Sequence, residues 1–166
     1  MQEASTRPPR RGRHRRSVRV LAGLVILGLI ALVLWWRLWP DQPRAAPDDP
    51  EQVALGRAVY AEHCASCHGS RLEGQPNWRE RLPNGRLPAP PHDETGHTWH
   101  HPDAMLFAIT KHGPRPPYAP EGYESDMPGF ADRLTDAEIW AVLAYIKSTW
   151  PSQIRERHRQ ISEQAW

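Results

Sequence analysis

Only two cysteines, Cys64 and Cys67, occur in the 166 residues of the chain, and that scarcity excludes much of what cysteine does. A disulfide framework needs several pairs. A zinc site would have to complete its tetrahedron with histidines, and no paired H-x-x-x-H follows at finger spacing. Methionine is nearly as rare, so a thioether ligand has three candidates: Met1, Met105 and Met127. Period-two alternation is almost absent, which argues against strands and against the βαβ setting of a thioredoxin-like pair. There is no internal repeat. The length leaves room for one domain of about 100 residues with extras at its ends.

The net charge of +2 conceals a division. Residues 1–40 hold eight arginines and one glutamate, a surplus of seven positive charges, and the remainder carries a deficit of five. Residues 1–19 mix Arg7, Arg10, Arg11, Arg13, Arg15, Arg16 and Arg19 with Pro8, Pro9 and Gly12, a composition that buries no core. Such an arm imitates a nucleic-acid-binding tail, but the adjoining segment decides against nucleic acid. Val20 to Trp36 is an unbroken apolar run of 17 residues, closed by Arg37 and extended by Leu38 and Trp39. Residues 20–39 are expected to form one transmembrane helix, with Arg19 and Arg37 snorkelling and Trp35, Trp36 and Trp39 in the interfacial belt. The arginines before the span and Asp41, Asp48, Asp49 and Glu51 after it put the N-terminus in the cytoplasm and the rest outside. A cleaved signal peptide would want a shorter apolar region and a small-residue cleavage site, which only Ala45-Ala46 resembles.

Residues 40–50, punctuated by Pro40, Pro43, Pro47 and Pro50, read as an extended tether. Asp49-Pro50-Glu51 is a helix start, with a side-chain acceptor, a first-turn proline and a carboxylate at the positive end; the helix should run to about Ala65. Residues 69–100 are rich in Gly, Pro, Asn and Arg and read as loop. A second helix is expected from Pro102 to about Lys111, ended by Gly113. A third begins at the capping box Thr135-Asp136-Ala137-Glu138 and stops before Pro151. Residues 51–150 therefore form a small all-α domain, and residues 151–166 a frayed helix or docking tail.

Cys64-Ala65-Ser66-Cys67-His68 is a C-x-x-C-H pattern, in which two thiols form thioether bonds to a haem and the next histidine supplies an axial iron ligand. One helical turn separates the sulfurs, so both reach one haem edge while His68 comes up beneath the iron. Gly56 to Tyr60, this motif with Gly69, the later Met127-Pro128-Gly129-Phe130 and a final helix with Trp140 and Tyr145 together resemble monohaem cytochrome c domains over about residues 50–150.

The resemblance implies an all-α fold around one covalent haem c, with a methionine from the loop before the last helix as sixth ligand, matching Met127. Met105 lies on the apolar face of an expected helix, where methionine packs more often than it ligates. It also implies that a proline carbonyl accepts the Nδ1 proton of His68, with Pro90 or Pro91 as holder. Gly56 with Tyr60 or Phe130 should pack on Trp140 and Tyr145 where the first and last helices cross. Arg57, Arg71, Arg79, Arg81 and Arg86 are candidates to neutralise propionates.

His92, His97, His100 and His101 fall within ten residues, with His112 beyond. They suggest a polar loop with Trp99 against the haem, a second copper or zinc site, or a histidine in place of Met127. The expected function is electron transfer between redox proteins at the outer face of a bacterial cytoplasmic membrane, without catalysis of its own, because a six-coordinate iron offers no open site. The alternatives are a haem c subunit of a larger oxidase or dehydrogenase, and an open-site haem enzyme or sensor.

Overall fold

The computed structural model describes residues 24–35 and 44–165, which fall in two separate units divided after Gln42. Among the described residues the secondary structure is helical, with no strand. In the first unit, residues 24–35 form helix α1, exposed on every side although nearly every residue is apolar. No helix among the described residues is long and apolar enough to cross a membrane. The expected span of residues 20–39 extends past α1 at both ends; those flanks, the basic segment 1–19 and residues 40–43 of the tether lie outside the described residues.

The second unit is built on α2 (Pro50–His63) and α5 (Asp136–Ser148), which cross. Asp49 caps α2, its carboxylate accepting from the amides of Glu51 and Gln52 at 3.0 and 3.3 Å, and Pro50 opens the first turn. The Gln52 side chain reaches back to hold Ala46 N and Arg44 O. α5 starts on the capping box expected of Thr135 and Glu138, with both reciprocal bonds formed. It buries Ile139, Trp140, Ala141, Val142, Leu143, Ala144 and Ile146, so nearly its whole circumference is core.

The crossing depends on Gly56, since a Cβ there would sit 1.9 Å from the Ala141 carbonyl oxygen and 2.9 Å from Tyr145 Cβ. Tyr60 meets Tyr145 with ring centroids 5.4 Å apart. Trp140, in contrast, stacks on Phe107 at 4.5 Å, while Phe130 meets His63 edge-on. Phe107 comes from α4 (Asp103–His112), which packs on α5 and buries Leu106 and Ala108.

The last helix, α6 (Ser152–Gln164), follows Pro151, and it is docked where a frayed tail was one expectation. His158 and Ser162 are buried, and their partners lie at the start of α4: Ser162 Oγ accepts from Asp103 N at 3.1 Å, and His158 Nε2 donates to His101 O at 3.1 Å. The Asp103 carboxylate also accepts two bonds from the largely buried Lys147 ammonium, at 2.8 and 3.0 Å, while Lys147 donates a third to Ala45 O at 3.2 Å. Asp103, through its carboxylate and its amide, and its partner Lys147 thus tie α4, α5, α6 and the entry segment together. The sparse apolar residues of 152–166 carry no hint of this, because α6 docks through polar side chains.

Candidate haem site

α2 ends at His63, Cys64 serves as its last cap, and the chain turns at once into the short helix α3 (Ala65–His68). The two cysteines and His68 therefore sit on consecutive turns, with Cys67 N and His68 N both donating to Cys64 O. Neither cysteine is in a disulfide. Burial and the neighbouring Cys67 push the Cys64 thiol up to about 11, so it stands protonated at neutral pH. Tyr60 Oη donates to Gly69 O at 2.9 Å and fastens the end of α3 back onto α2.

His68 is buried, and its Nδ1 lies 2.8 Å from the carbonyl oxygen of Pro90. A carbonyl only accepts, so Nδ1 carries the proton and Nε2 keeps the lone pair. Burial lowers the proton affinity of the ring below the usual histidine value, which favours the neutral, ligating form.

The position of Pro90 has a local cause. Pro91 confines Pro90 to extended backbone, and the 89–92 segment is laced to the loop after His68. Gln75 N donates to Ala89 O at 2.9 Å, His92 N to Leu72 O at 2.8 Å and Gly74 N to His68 O at 2.8 Å. Gly74, with φ +68°, is needed where the segments touch: a Cβ would lie 2.4 Å from Pro91 N and 2.7 Å from Pro90 C. Gly96 closes the other side, where a Cβ would fall 2.1 Å from Pro91 O. Of the two expected prolines, Pro90 is therefore the one that holds His68.

Met127 is half-buried and packs against the hydrophobic core, and its amide donates to Ser125 Oγ at 3.1 Å. Its loop is pinned to the end of α4 by Phe130 N to Thr110 O and Ala131 N to Lys111 O, at 3.1 and 2.9 Å. Gly129 permits that approach, since a Cβ there would lie 2.8 Å from His112 C.

The arginines proposed for propionates each have another engagement. Arg57 lies over the Tyr145 ring and Arg79 over Trp78. Arg71 pairs with Glu73, Arg81 donates to Gly85 O, and Arg86 pairs with Asp126 and Glu124. A buried donor does remain: Trp99 Nε1 has no acceptor among the described residues. A haem carboxylate would satisfy such a group, so the residues present fit the cofactor.

The histidine-rich segment is distributed over aromatic contacts. His92 stacks on His68, His97 on Trp78 and His100 on Trp99, while His101 meets His97 edge-on at 5.3 Å. Burial lowers the proton affinity of His97 and His101. Among the described residues no group of three or more His, Cys, Asp or Glu side chains gathers as a ligand set, so a second metal centre gains no support from the geometry. No sequence signal marks the contact between His92 and His68, because spacing alone does not reveal a stack across 24 positions.

A helical domain closed by two crossing helices, with a C-x-x-C-H turn leading out of the first, defines a protein that carries covalently attached haem. A family model described as cytochrome c matches residues 53–150. The chain belongs to the cytochrome c family, whose members bind haem c through the two cysteines of this motif, here Cys64 and Cys67, and use it to carry electrons. It is also similar to the thiosulfate dehydrogenase of Stutzerimonas stutzeri (strain A1501), with 29% identity over 113 residues, which is 68% of this chain and 31% of that protein. The chain thus spans less than a third of the length of that curated relative. No solved structure matches it.

Proposed function

We propose that the chain is a membrane-anchored, periplasmic electron carrier whose single haem c is ligated by His68 and Met127. The observation that carries this reading is the buried His68 ring, neutral and held through Nδ1 by Pro90, which presents Nε2 for ligation. Haem c supplies a reversible one-electron couple when bound. The protein's part is to fix the tautomer and direction of His68, to bring Met127 from the loop pinned to α4, and to keep water from the ligands. A six-coordinate arrangement leaves no place for a substrate, which suits exchange with redox protein partners.

The anchor rests on the apolar run 20–36, of which α1 is the described part, and the periplasmic side rests on the arginine excess before it. Tethering confines encounters to the membrane surface and raises the effective concentration of partners there. The acidic remainder of the chain suits a basic docking patch on a donor or acceptor.

Absorption spectra of the oxidised and reduced full chain, matured with haem-attachment machinery, test the ligation. A low-spin wild type showing the weak red sulfur-to-iron band, with that band lost in Met127→Ala, supports the reading. A high-spin wild type overturns it.

Similarity to thiosulfate dehydrogenase favours a second reading, that the domain takes electrons from thiosulfate within a larger oxidoreductase. Addition of thiosulfate to the oxidised full chain separates the two. Prompt haem reduction favours the enzyme reading, and an unchanged spectrum favours the carrier.

A further inference from the structure

We propose that His92 is a positioning residue for the axial histidine, its imidazole fixing the rotation of the His68 ring about the ring's bond to iron. The inference rests on the reading of His68 as a ligand. The two rings lie face to face, with centroids 4.0 Å apart and planes 25° from parallel.

The bond from His68 Nδ1 to Pro90 O sets which way the ring points, but one hydrogen bond tolerates a swing of roughly 60° from linear before it weakens steeply. A flat neighbour at 4.0 Å removes that freedom, because turning the His68 ring drives its edge into the His92 face.

His92 is itself held on four sides. Its amide donates to Leu72 O at 2.8 Å, its carbonyl accepts from Trp150 Nε1 at 2.7 Å, and its Nδ1 bonds the buried Thr98 hydroxyl at 2.8 Å. Tyr60 closes on it edge-first, with centroids 6.4 Å apart. Trp150 lies just beyond α5, Tyr60 on α2, and Thr98 in the single helical turn Thr98–His100. The stack is thus braced from three parts of the domain, and a ligand ring so braced keeps one orientation.

The orientation of an axial imidazole sets the pattern of paramagnetically shifted haem methyl resonances in the ferric state, so proton NMR of the oxidised, haem-loaded full chain reads it without any assay of activity. His92→Ala is expected to change the methyl pattern, and His92→Phe, which keeps a flat ring, to restore the wild-type pattern. His92→Leu fills the volume without a flat face and is expected to resemble the alanine variant; it carries the test should His92→Ala fail to fold. A wild-type pattern in the alanine or leucine variant, or a phenylalanine variant that departs as far as they do, overturns the proposal. A wild type whose ferric spectrum shows no hyperfine-shifted ring protons of a bound histidine overturns the His68 reading as well, whereas a histidine-ligated wild type indifferent to these variants overturns only the role of His92.

Discussion

Gly74→Ala tests whether the placement of Pro90 is imposed by close contact of the two loop segments. Two costs separate cleanly. The first is conformational: Gly74 has φ +68°, and a side chain in that left-handed region costs about 1–2 kcal/mol. The second is steric: the new Cβ would lie 2.4 Å from Pro91 N, an ångström short of the 3.4 Å at which ordinary contact begins. Because the obstacle is proline backbone it has little freedom to yield, and overpacking of this kind costs about 1–3 kcal/mol. Gly85→Ala is the matched control, since Gly85 has φ +82° and a Cβ there would meet nothing within 4 Å, so it bears only the first cost. Entropy lost by the unfolded chain is common to both variants and cancels. Denaturant unfolding of the haem-loaded protein should show Gly74→Ala less stable than Gly85→Ala by about 1–3 kcal/mol. Equal losses, within about 0.5 kcal/mol, would refute the argument that the segments are in enforced contact.

Asp103→Asn leaves the Lys147 ammonium buried with only the Ala45 carbonyl and a neutral amide as partners, and should lower stability by about 3–5 kcal/mol. Adding Lys147→Met should recover part of that loss in the same denaturant titration, whereas a double variant worse than the single would contradict the role of the ion pair. Gly56→Ala should cost about 3 kcal/mol or more by thermal melting, because its Cβ would fall 1.9 Å from Ala141 O at the centre of the α2–α5 crossing.

Stability should also depend on pH through His158. Burial holds its proton affinity below the histidine value of 6.5, with Lys147 acting in the same sense and Asp103 and the His101 carbonyl opposing. The unfolded chain therefore binds a proton that the folded chain resists, so the contribution is complete above pH 6.5 and is lost as the pH falls below it. Melting temperatures of wild type and His158→Gln across that window should show a shallower acid slope in the variant; equal slopes would remove His158 as the cause.

What the sequence makes legible depends on how local each signal is. The start of α2 at Asp49-Pro50 and the capping box of α5 are written in adjacent residues, and both helices begin there. The C-x-x-C-H turn is equally local, and Gly56 marks the crossing because only glycine tolerates a carbonyl at that distance. The choice of Pro90 over Pro91 is hidden, since it depends on hydrogen bonds donated by the Gly74 and Gln75 amides and accepted by the Leu72 carbonyl, which no periodicity encodes. Phe107, rather than Tyr60 or Phe130, is the aromatic partner of Trp140 because α4 rests on α5 at an angle that spacing does not determine. The docking of α6 is concealed for a different reason: its anchors, His158 and Ser162, are polar and find their partners at the start of α4, more than 50 positions away in sequence.

Whether this chain carries electrons on a covalent, six-coordinate haem is tested most directly by a redox titration of the haem-loaded full chain followed by visible absorption, with haem staining after denaturing electrophoresis alongside. Attachment through Cys64 and Cys67 with two axial ligands predicts haem that survives denaturation and a single reversible one-electron transition between low-spin forms. Haem lost on denaturation, or an iron that is high-spin in either state, would contradict it.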